Sequence, residues 1–388
     1  MRILFIHTFY KLPGGEDAVV QNEIDLLRIG GHEVELLSFS NSGKGLLKLL
    51  GMPYNPSSYK TTTAKIAEFS PDIVHIHNLH FAASASVIRA IHRAGVPMVM
   101  TVHNYRLLCP SASLFHDNKF FLNSLKAAFP WDAVKKGVYQ NSRLITLWLG
   151  FSNYLHRKLG TWKLIDTYIF LSEHSRQLFL ESSFKPELRN TAIKPNFAKQ
   201  TVRRERPLSN TYFLYVGRLT EEKGLRVLLE AFRASGLWLK VAGIGPLSGL
   251  AASYAKQNSN IEYLGQQSRE EVDLLLDKAE AVVFPSMWYE TFGMIVIEAF
   301  AKAVPVITSD LGNMKLLVTD GFNGRTFEPG NVGDLKIKSL ELNSLTAEEK
   351  QKMRLSSKAT YDLRYNPSTN LNLLLKIYND TITNSKAF

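Results

Sequence analysis

The chain has a single cysteine, Cys109, among 388 residues, so it has neither an intrachain disulfide framework nor a cysteine-ligated zinc site. With no base partner in its motif, Cys109 reads as a buried, inert thiol rather than a nucleophile. No apolar run reaches the roughly 20 residues that a membrane-spanning helix requires. The opening Met1-Arg-Ile-Leu-Phe-Ile-His7 is apolar only briefly and carries no cleavage pattern, so it reads as a first buried strand and not as a signal peptide. Cytoplasmic is the expected compartment. The glycine pair Gly14-Gly15 lacks the G-x-G-x-x-G spacing of a dinucleotide site, which disfavours a dehydrogenase.

Acidic residues are also in deficit, 35 against 46 Lys and Arg, a formal net charge of +11. The excess is uneven: residues 1–195 hold 22 basic and 14 acidic side chains, the remainder 24 and 21. Residues 110–165 carry eight basic side chains, two acidic ones (Asp117 and Asp132) and many large aromatics, among them Phe129, Trp131, Trp148 and Phe151. Such a mixture suits an anionic lipid surface, or a helical excursion with a solvated basic face and a buried aromatic one. No nucleic-acid-binding signature accompanies the charge, so no nucleic-acid partner is expected.

At 45% hydrophobic, a chain this long is suited to two cores rather than one. Short apolar runs at 2–6, 33–37, 72–76, 96–102 and 167–171 alternate with helical stretches, the pattern of a parallel sheet covered on both faces. A polar, charged segment at 199–209 reads as a linker. The strand-turn-helix theme then restarts at 212–216 and recurs at 237–242, 281–285 and 304–308. The expected fold class is therefore α/β, with domains at 1–195 and 196–367 and a closing helix within 368–388. Two such halves imply a cleft, and open parallel sheets bind ligands beyond the carboxyl ends of their strands.

Two segments of the second half carry the chemistry. Gly217-Arg218-Leu-Thr-Glu-Glu-Lys223-Gly224 follows a strand and offers a planar guanidinium fork and a mobile ammonium, which suit neighbouring phosphates. Tyr289-Glu290-Thr-Phe292-Gly293 turns into a helix that carries Glu298, and unpaired amides at a helix start attract anions. Two cations and two carboxylates together fit a diphosphate and sugar hydroxyls. The plain alternatives are a surface Arg/Lys pair and a solvated helical carboxylate. A glycoside hydrolase with Glu290 and Glu298 as acid and nucleophile would leave both cations unexplained.

With these pieces, Leu12-Pro-Gly14-Gly15-Glu16, Thr101-Val-His103-Asn104 and Lys194-Pro195-Asn196-Phe197 in order, the chain resembles the retaining glycosyltransferases of family 4. The resemblance spans nearly the whole chain and is weakest over 110–165. It implies the GT-B fold: two Rossmann-like domains facing across a deep cleft, the C-terminal helix crossing back to the first. It implies transfer of a hexose from a nucleotide-diphosphate sugar to an acceptor hydroxyl by a front-face route, in which a leaving phosphate oxygen acts as base. It also implies no cofactor and no metal. By the same resemblance Arg218 and Lys223 hold the diphosphate, and Glu290 binds the donor sugar with the amides of Phe292 and Gly293. Glu298 takes the ribose, Gly265 lies by the nucleobase, Gly14 and Gly15 approach the phosphates, and His103 stands beside the reacting centre.

An acceptor of the lipid-linked saccharide class, used in surface-polysaccharide assembly, fits the basic, aromatic excursion, with peripheral contact at the inner membrane face. An inverting or phosphorylase-type GT-B enzyme and a non-catalytic nucleotide-sugar binding protein remain as alternatives. His75, His77 and His80 are close enough in sequence to suggest metal ligands. No carboxylate is apparent nearby, so they read as structural or acceptor-facing. Phe197 stands where many relatives have glycine, a departure expected to alter a hinge or the lining of the site.

Overall fold

The computed structural model describes residues 1–9, 15–41, 49, 51–199 and 211–386. The chain forms two compact units, Met1–Asn196 with Asn370–Phe388, and Phe197–Thr369. The sequence reading divides the chain after 195 and after 367. Of the linker expected at 199–209, only Lys199 lies among the described residues.

In unit 1 the strands β1 (Arg2–Phe9), β2 (Glu33–Ser40), β3 (Ile73–Ile76), β4 (Met98–Val102), β7 (Thr167–Phe170) and β8 (Asn190–Ile193) form one parallel sheet. Their order is β2-β1-β3-β4-β7-β8. Every residue of β3, β4 and β7 is buried, as both faces of a helix-covered parallel sheet demand. The excursion holds a hairpin of β5 (Phe115–His116) and β6 (Lys119–Phe120) and the helices Trp131–Lys136 and Arg143–Lys158. Ser142 caps the second helix, accepting from the Ile145 amide.

The C-terminal helix, Pro367–Lys386, completes this unit. Its Leu374, Ile377 and Tyr378 share a buried cluster with Ile3 and Phe5 of β1, Val20 and Ile24 of the first helix (Gly15–Ile29), and Ile73. Thr381 Oγ1 lies 2.9 Å from Thr167 Oγ1 on β7, and Asn370 Nδ2 donates to the Pro195 carbonyl at 2.6 Å.

Unit 2 repeats the architecture with β9 (Tyr212–Val216), β10 (Leu239–Ala242), β11 (Ile261–Gly265), β12 (Ala279–Phe284), β13 (Val306–Ser309) and β14 (Gly324–Phe327). All pair in parallel, in the order β11-β10-β9-β12-β13-β14. Strand order reverses between β9 and β12, so the loops leaving these two strands flank a topological switch point, where such sheets bind ligands. Gly324 opens β14, where a Cβ would stand 2.0 Å from the Val306 carbonyl oxygen. Among the described residues no helix is long and apolar enough to cross a membrane.

Candidate active site

Three loops meet at the carboxyl edge of the unit 2 sheet because glycines let their backbones touch. Gly224 has φ +72°, and a Cβ there would lie 1.9 Å from the Pro285 carbonyl oxygen. A Cβ at Gly243 would meet the Gly217 oxygen at 1.9 Å, and one at Gly245 the Leu219 oxygen at 2.4 Å. The turn after β9, carrying Arg218 and Lys223, is thereby pressed against the segment after β12 that carries Glu290.

Lys223 and Glu290 are ion-paired, Nζ to Oε1 at 2.6 Å. Ser286 Oγ and Trp288 Nε1 donate to the same oxygen at 2.6 and 2.7 Å. The Lys223 ammonium also lies 5.3 Å from the Phe284 ring centroid and 5.4 Å from that of Trp288. Both members of the pair are largely buried, where a charge without a partner is costly. The pair keeps the cation and the carboxylate in place, neutralised, and beside the switch point. Arg218 differs: its side chain is 69% exposed and only 4.0 Å from Glu222, which leaves its guanidinium free to swing toward an anion in solution.

The remaining expected groups are distributed as follows. Phe292 is buried, its carbonyl held by Asn313 Nδ2 at 2.8 Å. Gly293, at φ +134°, precedes the helix Met294–Ala301, whose start has no side-chain cap. Glu298, on that helix, lies 3.9 Å from Arg269. Burial raises its carboxyl above the ordinary range, an effect opposed by Arg269 and reinforced by Asp273. Gly265 ends β11 with φ +68° and accepts from the Gly243 amide at 2.7 Å. Gly14 lies outside the described residues. Gly15 opens the first helix with nothing within 4 Å of where a Cβ would stand, so its surroundings do not require glycine there.

In unit 1 a buried chain of polar groups ends on His103. Lys194 Nζ donates to Glu23 Oε1, and both side chains are fully buried. Glu23 Oε2 is 3.5 Å from His77 Nε2, and His77 Nδ1 is 2.8 Å from His103 Nε2. His75 bonds Tyr378 and Thr101, each at 2.7 Å. This corrects the expectation that no carboxylate stands near the histidines: Glu23, His75 and His77 place one ligand atom each within 4.8 Å. His80 is not part of that group. Lys194 engages Glu23 Oε1 and two hydroxyls engage His75, while Glu23 Oε2 and His77 Nε2 face each other without a hydrogen-bond partner among the described residues, so the group forms part of an ion-pair and hydrogen-bond chain. Burial holds His75 and His77 far below the ordinary imidazole range, and it pulls His103 down to about 3, with His7 and Lys194 adding to the fall and Glu23 opposing it.

Sequence reasoning missed Ser286 and Trp288, although positions 286, 288 and 290 alternate along one extended segment, a visible signal. It also missed Glu23, and it saw Lys194 only as part of a motif, because their contact spans 171 positions.

Comparison with known proteins decides the family. The family model described as Glycosyltransferase Family 4 matches residues 13–187, and that described as Glycosyl transferases group 1 matches residues 197–360. The chain belongs to glycosyltransferase family 4. An uncharacterized glycosyltransferase of Methanocaldococcus jannaschii is 25% identical over 358 residues, covering 88% of each chain. The phosphatidyl-myo-inositol mannosyltransferase of Mycolicibacterium smegmatis is 24% identical over 340 residues, 81% of this chain and 78% of the relative. Among solved structures, sucrose-phosphate synthase from Thermosynechococcus elongatus superposes with a TM-score of 0.71 at 15% identity, covering 98% of this chain and 99% of that one. Anabaena HepE in complex with UDP-glucose gives 0.66 at 16%, covering 98% and 100%. This family 4 glycosyltransferase thus has the GT-B fold, and Lys223, Glu290 and the uncapped helix start lie on its second Rossmann-like unit.

Proposed function

We propose that the enzyme is a retaining, metal-independent hexosyltransferase that takes its sugar from a nucleoside-diphosphate donor. The observation that carries this reading is the Lys223–Glu290 pair at the switch point of the unit 2 sheet, with Arg218 exposed on the same loop. A diphosphate draws Lys223 and Arg218 onto its oxygens and stabilises the departing charge. Glu290, relieved of its lysine, turns to the donor sugar with the Phe292 and Gly293 amides, and Glu298 takes the ribose hydroxyls. Gly265 lies by the base, Gly14 and Gly15 by the phosphates, and His103 beside the reacting carbon. A front-face route, with a phosphate oxygen as base, asks of the protein only positioning and electrostatics. HepE, a structural neighbour, is described in complex with UDP and with UDP-glucose, which supports a nucleotide-sugar donor here.

The acceptor in this reading is a lipid-linked saccharide of surface-polysaccharide assembly, reached at the cytoplasmic membrane face. Support comes from the helix Arg143–Lys158: Leu144, Leu147 and Phe151, spaced along one face, are exposed, as are Arg143 and, on the preceding helix, Lys135 and Lys136.

A thermal-shift screen against UDP-, GDP-, ADP- and dTDP-sugars identifies the donor, and NMR of the product's anomeric centre tests retention. Lys223→Ala is expected to lower kcat/KM on the order of 100-fold, and Glu290→Gln comparably. Silence toward all four donors, or an inverted product, sinks the reading.

A further inference from the structure

Within unit 1, a cavity of about 110 Å³ opens between the carboxyl end of β4 and the helix Arg143–Lys158. Leu107, Pro130, Leu149 and Trp162 give it an apolar wall, and His103 lines it. By the space a single water needs, it holds roughly seven to eleven non-hydrogen atoms. Part of its polar lining is without partners. His80 is 5% exposed, and neither ring nitrogen has a hydrogen-bond partner among the described residues. Arg106 Nε and Nη1 are likewise buried without partners, as is Asn153 Oδ1. Buried polar atoms ordinarily find partners, and this many orphans around one space mark a site built for a ligand.

The chemistry of these groups names the ligand. Arg106 makes no ion pair among the described residues. The Glu16 carboxyl, which feels Arg106, is raised by burial to about 8. The Arg106 guanidinium, 5.7 Å from the Tyr139 ring centroid, lines the cavity with planar donors matched to a phosphate. The His80 ring, kept neutral by burial, offers one donor and one acceptor, and the Asn153 carbonyl a further acceptor, a set that suits hydroxyls. One helix joins this cavity to the exposed apolar face described above. Its Leu149 and Asn153 line the cavity, while its Leu144, Leu147 and Phe151 are exposed.

We propose that the cavity binds the phosphoester head group of the acceptor, with Arg106 on the phosphate and His80 and Asn153 on neighbouring hydroxyls. The proposal rests on the transferase reading and names its acceptor class: a lipid whose receiving hydroxyl sits within a few bonds of a phosphate.

Calorimetric titration of the full chain tests it without any turnover. The probes are inorganic phosphate, glycerol 3-phosphate, and dihexanoyl phosphatidylglycerol below its micellar limit, with glycerol as the uncharged control. The two glycerol phosphates are expected to bind in the millimolar range or better and glycerol not at all. Arg106→Gln is expected to weaken binding about tenfold or more, the worth of one charge-assisted contact. Asn153→Asp, which puts a carboxylate on the wall of the same cavity against an anionic ligand, is expected to do the same and serves if the arginine variant fails to fold. Tighter binding of the lipid than of glycerol 3-phosphate assigns the site to a membrane acceptor, and equal binding assigns it to the head group alone. No binding by any phosphate probe, or equal binding by wild type and variants, overturns the proposal. Retained phosphate binding with no response to any nucleotide sugar would instead count against the donor reading and leave this site standing.

Discussion

Glu23 and Lys194 form the most exposed liability of the molecule at the level of single residues, because neither touches water. Removing one partner of a buried ion pair strands the other, at a cost of about 3–5 kcal/mol, whereas replacing both with apolar groups is often close to neutral. Lys194→Met is therefore expected to lower the urea midpoint sharply, and Lys194→Met with Glu23→Leu to recover most of the loss. If the double variant is both stable and fully active, the chain reaching His77 and His103 has no part in transfer. At this scale the sequence was legible where chemistry is local. Arg218, Lys223, Glu290 and Glu298 are all recognisable within short motifs, and the structure gathers Lys223 and Glu290 as ion partners. It was not legible where partners are distant. A lysine before a proline and a glutamate on the first helix give no sign of each other across 171 positions, so the histidines next to them were read without their carboxylate.

Loops and helices translate those residues into a site. The turn carrying Lys223 depends on Gly224, whose positive φ and 1.9 Å clearance from Pro285 leave no room for a methyl group. Gly224→Ala is expected to cost about 1–3 kcal/mol of stability from backbone strain alone. It should also push the Lys223 turn away from the Glu290 segment, seen as a loss of nucleotide-sugar thermal shift. A normal shift in a folded Gly224→Ala protein contradicts the dependence of the site on that contact. The helix Arg143–Lys158 makes a separate forecast. Leu144→Asp with Phe151→Asp, or charge reversal at Lys136 and Arg143, is expected to weaken co-sedimentation with anionic vesicles; unchanged sedimentation removes the membrane role. Buried strands were the most readable elements because a parallel sheet covered on both faces leaves largely apolar runs, as in β3, β4 and β12. β14 was less so: it opens on a glycine chosen for clearance rather than for apolarity.

Across the whole molecule, buried imidazoles set the response to acid. His75, His77 and His80 are held well below 6.5 by burial, and His103 at about 3. Once unfolded they regain their ordinary affinity for protons, so the stability they contribute is intact above about 6.5 and declines as pH falls toward the folded values. Each contributes a slope of about 1.4 kcal/mol per pH unit in that window. Glu16 works in the opposite sense: raised from 4.5 to about 8, its contribution is full below 4.5 and fades as pH rises toward 8. With the buried histidines outnumbering the raised carboxyls Glu16, Glu187 and Glu298, the melting temperature is expected to drop between pH 6.5 and 5, and a flat profile there refutes the neutral burial of the cluster. The two-unit plan was readable from the restart of the strand pattern after the linker, and the last helix was readable as an apolar stripe. Its destination was known only by resemblance. That destination has a temporal meaning. The first 196 residues leave the ribosome with the space for Leu374, Ile377 and Tyr378 still unfilled, while the described residues of 197–369 form a core cluster among themselves. The unit begun first is thus completed only once the helix Pro367–Lys386 has emerged.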